Sequence, residues 1–245
     1  MAVSVSVGVS DLLDSLEAFD RAAGEAARQL DGPCDLAVIF VGAPHLGHAK
    51  TILSTVHERL EPRSLIGCGA GGVLGAGREL ESGPGAAVWA MSAPGARIST
   101  HHLEAERGED GFALSGLPDP EALGEVLFVL ADPYTFSAEA LLEWLHTVRP
   151  GMPVLGGLAS AAAAGSASLF RDGEVLDAGA VAASLEGVGV IPCVSQGATP
   201  IGPEMTITAA EGNLIAELAS KPAVERLQAR IELCEGLAQP LDRGL

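Results

Sequence analysis

Ala37-Val38-Ile39-Phe40-Val41 and Val126-Leu127-Phe128-Val129-Leu130 are the two stretches on which the fold turns. Each is an unbroken apolar run, the pattern of a strand buried on both faces as in a parallel sheet, not the alternation of a half-exposed one. A shift of 89 residues lays Ala37–Ala76 on Val126–Gly165 without a gap, with identities at Pro44/Pro133, Ala49/Ala138, Leu53/Leu142, His57/His146, Gly67/Gly156 and Ala70/Ala159. The apolar pattern agrees better than the identities do, since Leu65-Ile66-Gly67 falls on Val154-Leu155-Gly156. The sequence therefore reads as a duplicated unit.

Each run is followed by apolar residues at helical spacing: Ile52, Leu53, Val56 and Leu60 in the first copy, and Leu141, Leu142, Leu145 and Val148 in the second, with Ser137 as N-cap. Pro62 and Pro150-Gly151 stop these helices, and the chain returns as strands near Leu65 and Val154. A right-handed β-α-β crossover is expected in each copy. Hairpins are expected from Ala86–Met91 with Arg97–Leu103 around Ala93-Pro94-Gly95, from Ala180–Leu185 with Val188–Val194 around Glu186-Gly187, and across Arg171-Asp172-Gly173-Glu174. Ahead of the first copy, Val3-Ser4-Val5-Ser6-Val7 alternates as a strand. Ser10 is then expected to cap a helix whose stripe is Leu12, Leu16, Phe19, Ala23, Ala26 and Leu30, ending at Gly32. The fold class expected is α/β (mixed α+β), two tandem β-α-β-β repeats with mixed sheets and helices packed on them. Residues 1–33 form the opening strand and helix, 34–104 the first repeat and 120–196 the second. The segment Glu104–Pro120, rich in charge, Gly and Pro, is the expected boundary between them. In the tail, Met205–Thr208 and Leu214–Leu218 read as strands about Glu211-Gly212-Asn213. Pro222 then opens a helix with Val224, Leu227, Ile231 and Cys234 on one face.

Charge narrows the partners. Fourteen Lys and Arg against 32 Asp and Glu give a net charge of −18, which repels nucleic acid and anionic lipid, so neither nucleic acid nor membrane is an expected partner. Hydrophobic residues at 48% exclude the disordered class. The apolar stretches, such as Gly179–Ala183, are too short to span a bilayer, and Met1–Ser10 lacks the pattern of a signal peptide. Cys34, Cys68, Cys193 and Cys234 form neither a CxxC pair nor a disulfide framework, so a cytoplasmic protein with reduced thiols is expected.

Gly67-Cys68-Gly69-Ala70-Gly71-Gly72 matches GxGxxG literally, but it follows a second strand and runs into Gly75 and Gly77, not into a helix, so a tight loop lining a cleft is the plainer reading. Its counterpart is Gly156-Gly157-Leu158-Ala159-Ser160. The two loops are expected to face one another across a pseudo-symmetry axis, leaving space for a small molecule whose carboxylate their N–H groups hold. The candidate ligand-binding residues are Cys68, Gly69, Gly71, Gly72, Arg78, Gly156, Gly157, Ser160 and Gln196. Arg78 is the single cation between Leu65 and Ser82, free either to meet an anionic ligand or to pair with Glu79 or Glu81. The six histidines show no HxxxH or HExxH spacing, so no metal site is assigned. Cys68 looks the most exposed thiol by context, yet no base accompanies it in sequence. No catalytic residue is assigned, and the expectation is a protein that is not an enzyme.

Ser64-Leu65-Ile66-Gly67-Cys68-Gly69-Ala70-Gly71-Gly72-Val73-Leu74-Gly75, continuing through Arg78-Glu79-Leu80 and Ala87-Val88-Trp89-Ala90, resembles the N-terminal part of FIST proteins, sensory domains named for F-box and intracellular signal transduction proteins. A second stretch, Gln196-Gly197-Ala198-Thr199-Pro200-Ile201-Gly202-Pro203 with Glu211-Gly212-Asn213-Leu214-Ile215-Ala216-Glu217-Leu218, resembles the segment joining the two FIST parts. The chain departs from the family at Ala198, where members often carry Cys, and at Ala219-Ser220 in place of Asp-Gly. The resemblance implies an intracellular sensor of a small-molecule ligand, an amino acid or a related metabolite, that passes a signal to a protein partner. On it, residues 197–245 read as a junction leading to a C-terminal FIST part absent from this chain. No cofactor is expected. A haem-dependent nitric oxide sensor, an enzyme using Cys68 and a scaffold without ligand are the alternatives.

Overall fold

A computed structural model describes residues 2–108, 111–160, 168–193, 200, 202–212 and 214–235. Gln196, Asn213, Val194 and residues 161–167 lie outside these residues, as does the side chain of Cys234. The chain divides into two compact units, Met1–Pro192 and Cys193–Leu245. No helix among the described residues is long and apolar enough to cross a membrane.

The first unit runs β1 (Ser4–Ser10), α1 (Ser15–Gln29), β2 (Leu36–Gly42), α2 (Ala49–Leu60), β3 (Leu65–Ala70), β4 (Val73–Gly75), β5 (Arg78–Leu80), β6 (Ala86–Ser92), β7 (Arg97–Gly108), β8 (Gly111–Ser115), β9 (Val126–Ala131), α3 (Ala138–Val148), β10 (Val154–Leu158), β11 (Leu169–Arg171), β12 (Glu174–Leu176) and β13 (Ala180–Glu186). A six-stranded sheet takes the order β1-β6-β2-β3-β11-β12 and a five-stranded sheet the order β10-β9-β13-β7-β8. Both are mixed: β2 pairs with β3, and β9 with β10, in parallel, while β6 and β13 run antiparallel beside them.

Side-chain alternation sorts the apolar residues into layers. From β2, Ala37, Ile39 and Val41 pack with Phe19 of α1 and with Ile52 and Val56 of α2. From β9, Leu127, Val129 and Ala131 pack with Leu141 and Leu145 of α3. The opposite faces meet one another, with Leu36, Val38, Ile66 and Met91 of the larger sheet in one cluster with Leu130, Val181, Ala183 and Leu185 of the smaller. The order is helix, sheet, sheet, helix, and the central strands are apolar throughout because both of their faces are covered.

The two strand–helix–strand segments pass through the same elements in the same order, but the gapless match fails in the first strand. Ile52 and Leu141, Val56 and Leu145, and Leu65 and Val154 occupy matching helix-side places 89 residues apart, whereas Ile39 matches Val129. The ladders agree, setting Ala37 opposite Leu65 but Leu127 opposite Val154. The second segment is one residue shorter between strand and helix, and because strand side chains alternate, that single residue exchanges the two faces. Two of the expected hairpins are also corrected. β6 and β7 do not pair, since Ala93-Pro94-Gly95 carries the chain from one sheet to the other, and residues 188–193 form no strand. The third is present, with Asp172 turning at φ 49° between β11 and β12. Helix α1 is capped by Asp14, whose carboxylate accepts from Glu17 N at 2.9 Å, and not by Ser10, which closes β1. Leu16 is exposed, the buried stripe running through Ser15, Ala18, Phe19, Ala22, Ala23 and Ala26. On α3, Ser137 is the cap and Leu142 is exposed. The segment read as a boundary is largely β7 and β8, paired antiparallel.

The second unit contains β14 (Ile207–Glu211), β15 (Leu214–Leu218) and β16 (Lys221–Pro222) in one antiparallel sheet, then α4 (Ala223–Glu235). The stripe read from the sequence is exposed on this helix, Val224 by 64% and Leu227 by 57%.

Gly67 and Gly156 stand where β3 and β10 crowd the central strands. A Cβ at Gly67 would lie 2.5 Å from Ile39 O, and one at Gly156, held at φ +129°, would lie 1.8 Å from Val129 O. Gly157, beside it, has open space. Gly156→Ala is therefore expected to cost about 2 to 4 kcal/mol of stability, and Gly157→Ala less than about 0.5, as read from urea midpoints at constant slope.

Candidate functional site

The glycine string proves to be mostly strand. Gly67 to Ala70 belong to β3, and only Gly71 and Gly72 turn before β4, so no helix N-terminus exists there to receive a pyrophosphate. Cys68 is 4% exposed, in the layer between the sheets, which corrects its reading as an exposed loop thiol. Burial pushes this thiol up to about 12, and that of Cys34 to about 11. Cys193 is the exposed one among the described cysteines.

The two expected loops do meet. Gly71 N donates to Ser160 Oγ at 3.0 Å, and a Cβ on Gly71 would lie 3.0 Å from Ser160 O. They meet as a closed seam, with Gly72 equally tight against Leu80 O and Gly69 N donating to Ser168 O at 2.8 Å. Arg78, on β5, donates to Asp11 Oδ2 at 2.7 Å. The Asp11 carboxyl is held below its ordinary range, by a backbone hydrogen bond first and by Arg78 next. Gly156 and Gly157 are residues of β10. Of the nine candidate residues, the structure brings Gly71 and Ser160 together and turns Arg78 to a different partner.

Open space lies elsewhere. Between the sheets is a cleft of about 670 Å³. Its floor is the inner face of β1, β6 and β2, with Val5, Trp89, Met91, Val38 and Phe40; Phe128, Leu155, Leu185 and the segment Val188–Ile191 form the facing wall. The volume falls within the range of small-molecule sites. No lining residue carries a charged side chain. None of the eight described candidate residues lines it, although Gly75 and Leu155 are close neighbours of two of them in sequence. The period-two pattern of Val3, Val5 and Val7 was the one usable signal; in the buried strands both faces are apolar, so nothing in the sequence distinguishes the face toward the cleft.

The histidines serve other contacts. His45 is buried with Nδ1 2.9 Å from Ser15 Oγ, which also lies 3.3 Å from His48 Nδ1. His57 Nε2–H donates to Asp172 O at 2.9 Å, and His102 Nε2–H to Ala178 O at 2.8 Å. His101 is lowered by burial and then by Arg171. None of them lines the cleft, whose one sulfur is that of Met91. A haem there would find neither an imidazole for its iron nor a cation for its propionates on the described walls, so these residues do not fit that cofactor. Among the described residues no three His, Cys, Asp or Glu converge as a metal site.

A family described as the FIST N domain matches residues 35–221. An uncharacterized protein of Mycobacterium tuberculosis is 37% identical over 247 residues, covering 98% of this chain and 63% of the relative. An uncharacterized protein of Mycobacterium bovis is 36% identical over 243 residues, covering 98% of this chain and 61% of the relative. The chain thus spans less than two thirds of the length of these relatives.

The thiols give a direct check on the packing. At about pH 8, iodoacetamide is expected to modify Cys193 in the folded chain and to leave Cys34 and Cys68 unmodified, as mapped by peptide mass. Because burial raises both thiols, the folded state keeps protons that the unfolded chain releases above 9.0. Their contribution is intact below that pH and is lost as the pH climbs toward about 12, so the melting temperature should fall across that window, less steeply in Cys68→Ala.

Proposed function

The chain belongs to the FIST family, and on that premise we propose that it is a cytoplasmic, non-catalytic sensory domain of signal transduction that binds an uncharged apolar small molecule between its two sheets. The observation that carries this reading is the cleft itself, of ligand size and lined without a charged side chain. An amino acid, the ligand class implied by the resemblance, would leave its ammonium and carboxylate without partners on these walls, and an unpaired charge is costly to bury. Trp89, Phe40 and Phe128 offer flat apolar area, and the unbranched Met91 adapts to an irregular ligand. The protonated, buried Cys68 supports a packing role over a nucleophilic one. The signal would pass to a protein partner, and the two strand–helix–strand segments are read as products of one duplication.

A thermal-shift panel of uncharged alkyl and aryl compounds beside the common amino acids tests the reading. A compound at 100 times its Kd stabilises by about 2.7 kcal/mol, a rise of several degrees. The expected result is a rise with apolar compounds and none with amino acids, reduced at least about tenfold in affinity by Val190→Glu, which places a charge on the cleft wall outside any strand. A rise with amino acids alone, unaffected by Val190→Glu, would sink the proposal.

A further inference from the structure

β1 is the edge of the larger sheet. All seven of its residues pair with β6, from Ser4 opposite Ser92 to Ser10 opposite Ala86, and no strand among the described residues pairs on its other side. Edge strands are ordinarily guarded by charge, proline or irregular backbone. The far edge of this sheet, β12, carries Glu174 in an ion pair with Arg171, and the edge strand β10 of the smaller sheet holds Gly156 at φ +129°. β1 has none of these. Ala2 to Ser10 contains neither a charge nor a proline, and Val3 and Val5 are 49% and 56% exposed.

The strand's own sequence says what completes it. Ser6 Oγ donates to Ala26 O at 2.8 Å and Ser4 Oγ accepts from Asp31 N at 3.1 Å, which fixes the serines on the α1 side and the valines on the cleft side. An antiparallel copy of the same strand, related by a two-fold axis at Val5, sets Val5 opposite Val5, Val3 opposite Val7 and Ser4 opposite Ser6. Every valine then remains on one face and every serine on the other. Copies of a chain carrying −18 repel one another over most of their surface, and this charge-free strip is a place where they can approach. We propose that the protein forms an isologous dimer by antiparallel β1–β1 pairing about Val5, joining two six-stranded sheets into one and continuing the apolar cleft across the two-fold axis. The pairing shares Val3, Val5 and Val7 with the ligand reading above but does not require a ligand.

Light scattering of the full chain at roughly 50 μM should return twice 24.8 kDa, and Val5→Lys, at an exposed position, should return a single chain with unchanged circular dichroism. In a background with Cys193→Ser and Cys234→Ser, Val5→Cys should cross-link to itself under mild oxidation, because directly opposed antiparallel residues lie about 4.5 to 5.5 Å apart, within disulfide reach. Ser4→Cys, on the other face and opposite Ser6, should not. A single-chain mass for the parent protein, or a dimer that survives Val5→Lys with no cross-link in Val5→Cys, would overturn the proposal. A monomer that binds apolar compounds would refute the dimer alone, and a dimer that binds none would refute the ligand alone.

Discussion

The two central strands β2 and β9 are apolar on both faces, and each must be covered twice. Helices supply one cover and the opposing sheet the other, which yields four layers. The same demand explains Gly67 and Gly156: β3 and β10 approach the backbone of Ile39 and Val129 so closely that a methyl group has no room. The candidate cleft is the place where the requirement is left unmet. There the apolar inner faces of β1, β6 and β2 stand across an open space from Phe128, Leu155, Leu185 and the segment Val188–Ile191 and are not packed against them.

The sheets are tied together by more than apolar contact. The β11–β12 hairpin follows the second strand–helix–strand segment yet completes the sheet of the first, pairing β11 with β3. Asp172 at its turn accepts from Leu65 N at 2.9 Å, from Thr100 Oγ1 at 2.6 Å and, through its carbonyl, from His57. One residue thus joins β3, β7 of the other sheet and the last turn of α2. His57 recurs as His146 in the sequence match, and its partner here is a backbone carbonyl.

What was legible in the sequence follows from local physics. The apolar runs, the spacing in α2, the Ser137 cap, the Asp172-Gly173 turn and the tail elements each carry their signal within a few residues. What failed depended on distant partners. Ala93-Pro94-Gly95 is good turn chemistry, but whether a turn closes a hairpin or crosses between sheets is decided by where the next strand finds an uncovered neighbour. The one-residue difference between β2 and β9 is invisible in runs that are apolar at every position. Cys68, among glycines, resembled a loop thiol because glycine signals both turns and close approach, and here Gly67 serves the second purpose. For the site, sequence identified the Gly71–Ser160 meeting but not the cleft, whose lining comes from strands far apart in the chain.

The most direct test of the central claim is a methyl-resolved NMR titration with an uncharged apolar probe. Shifts and intermolecular NOEs are expected to concentrate on Val5, Val38, Leu155 and Leu185, with the helix-side methyls of Ile39, Ile52 and Leu141 unmoved. Shifts confined to the helix-side layers, or to residues beside Gly71 and Ser160, would contradict it.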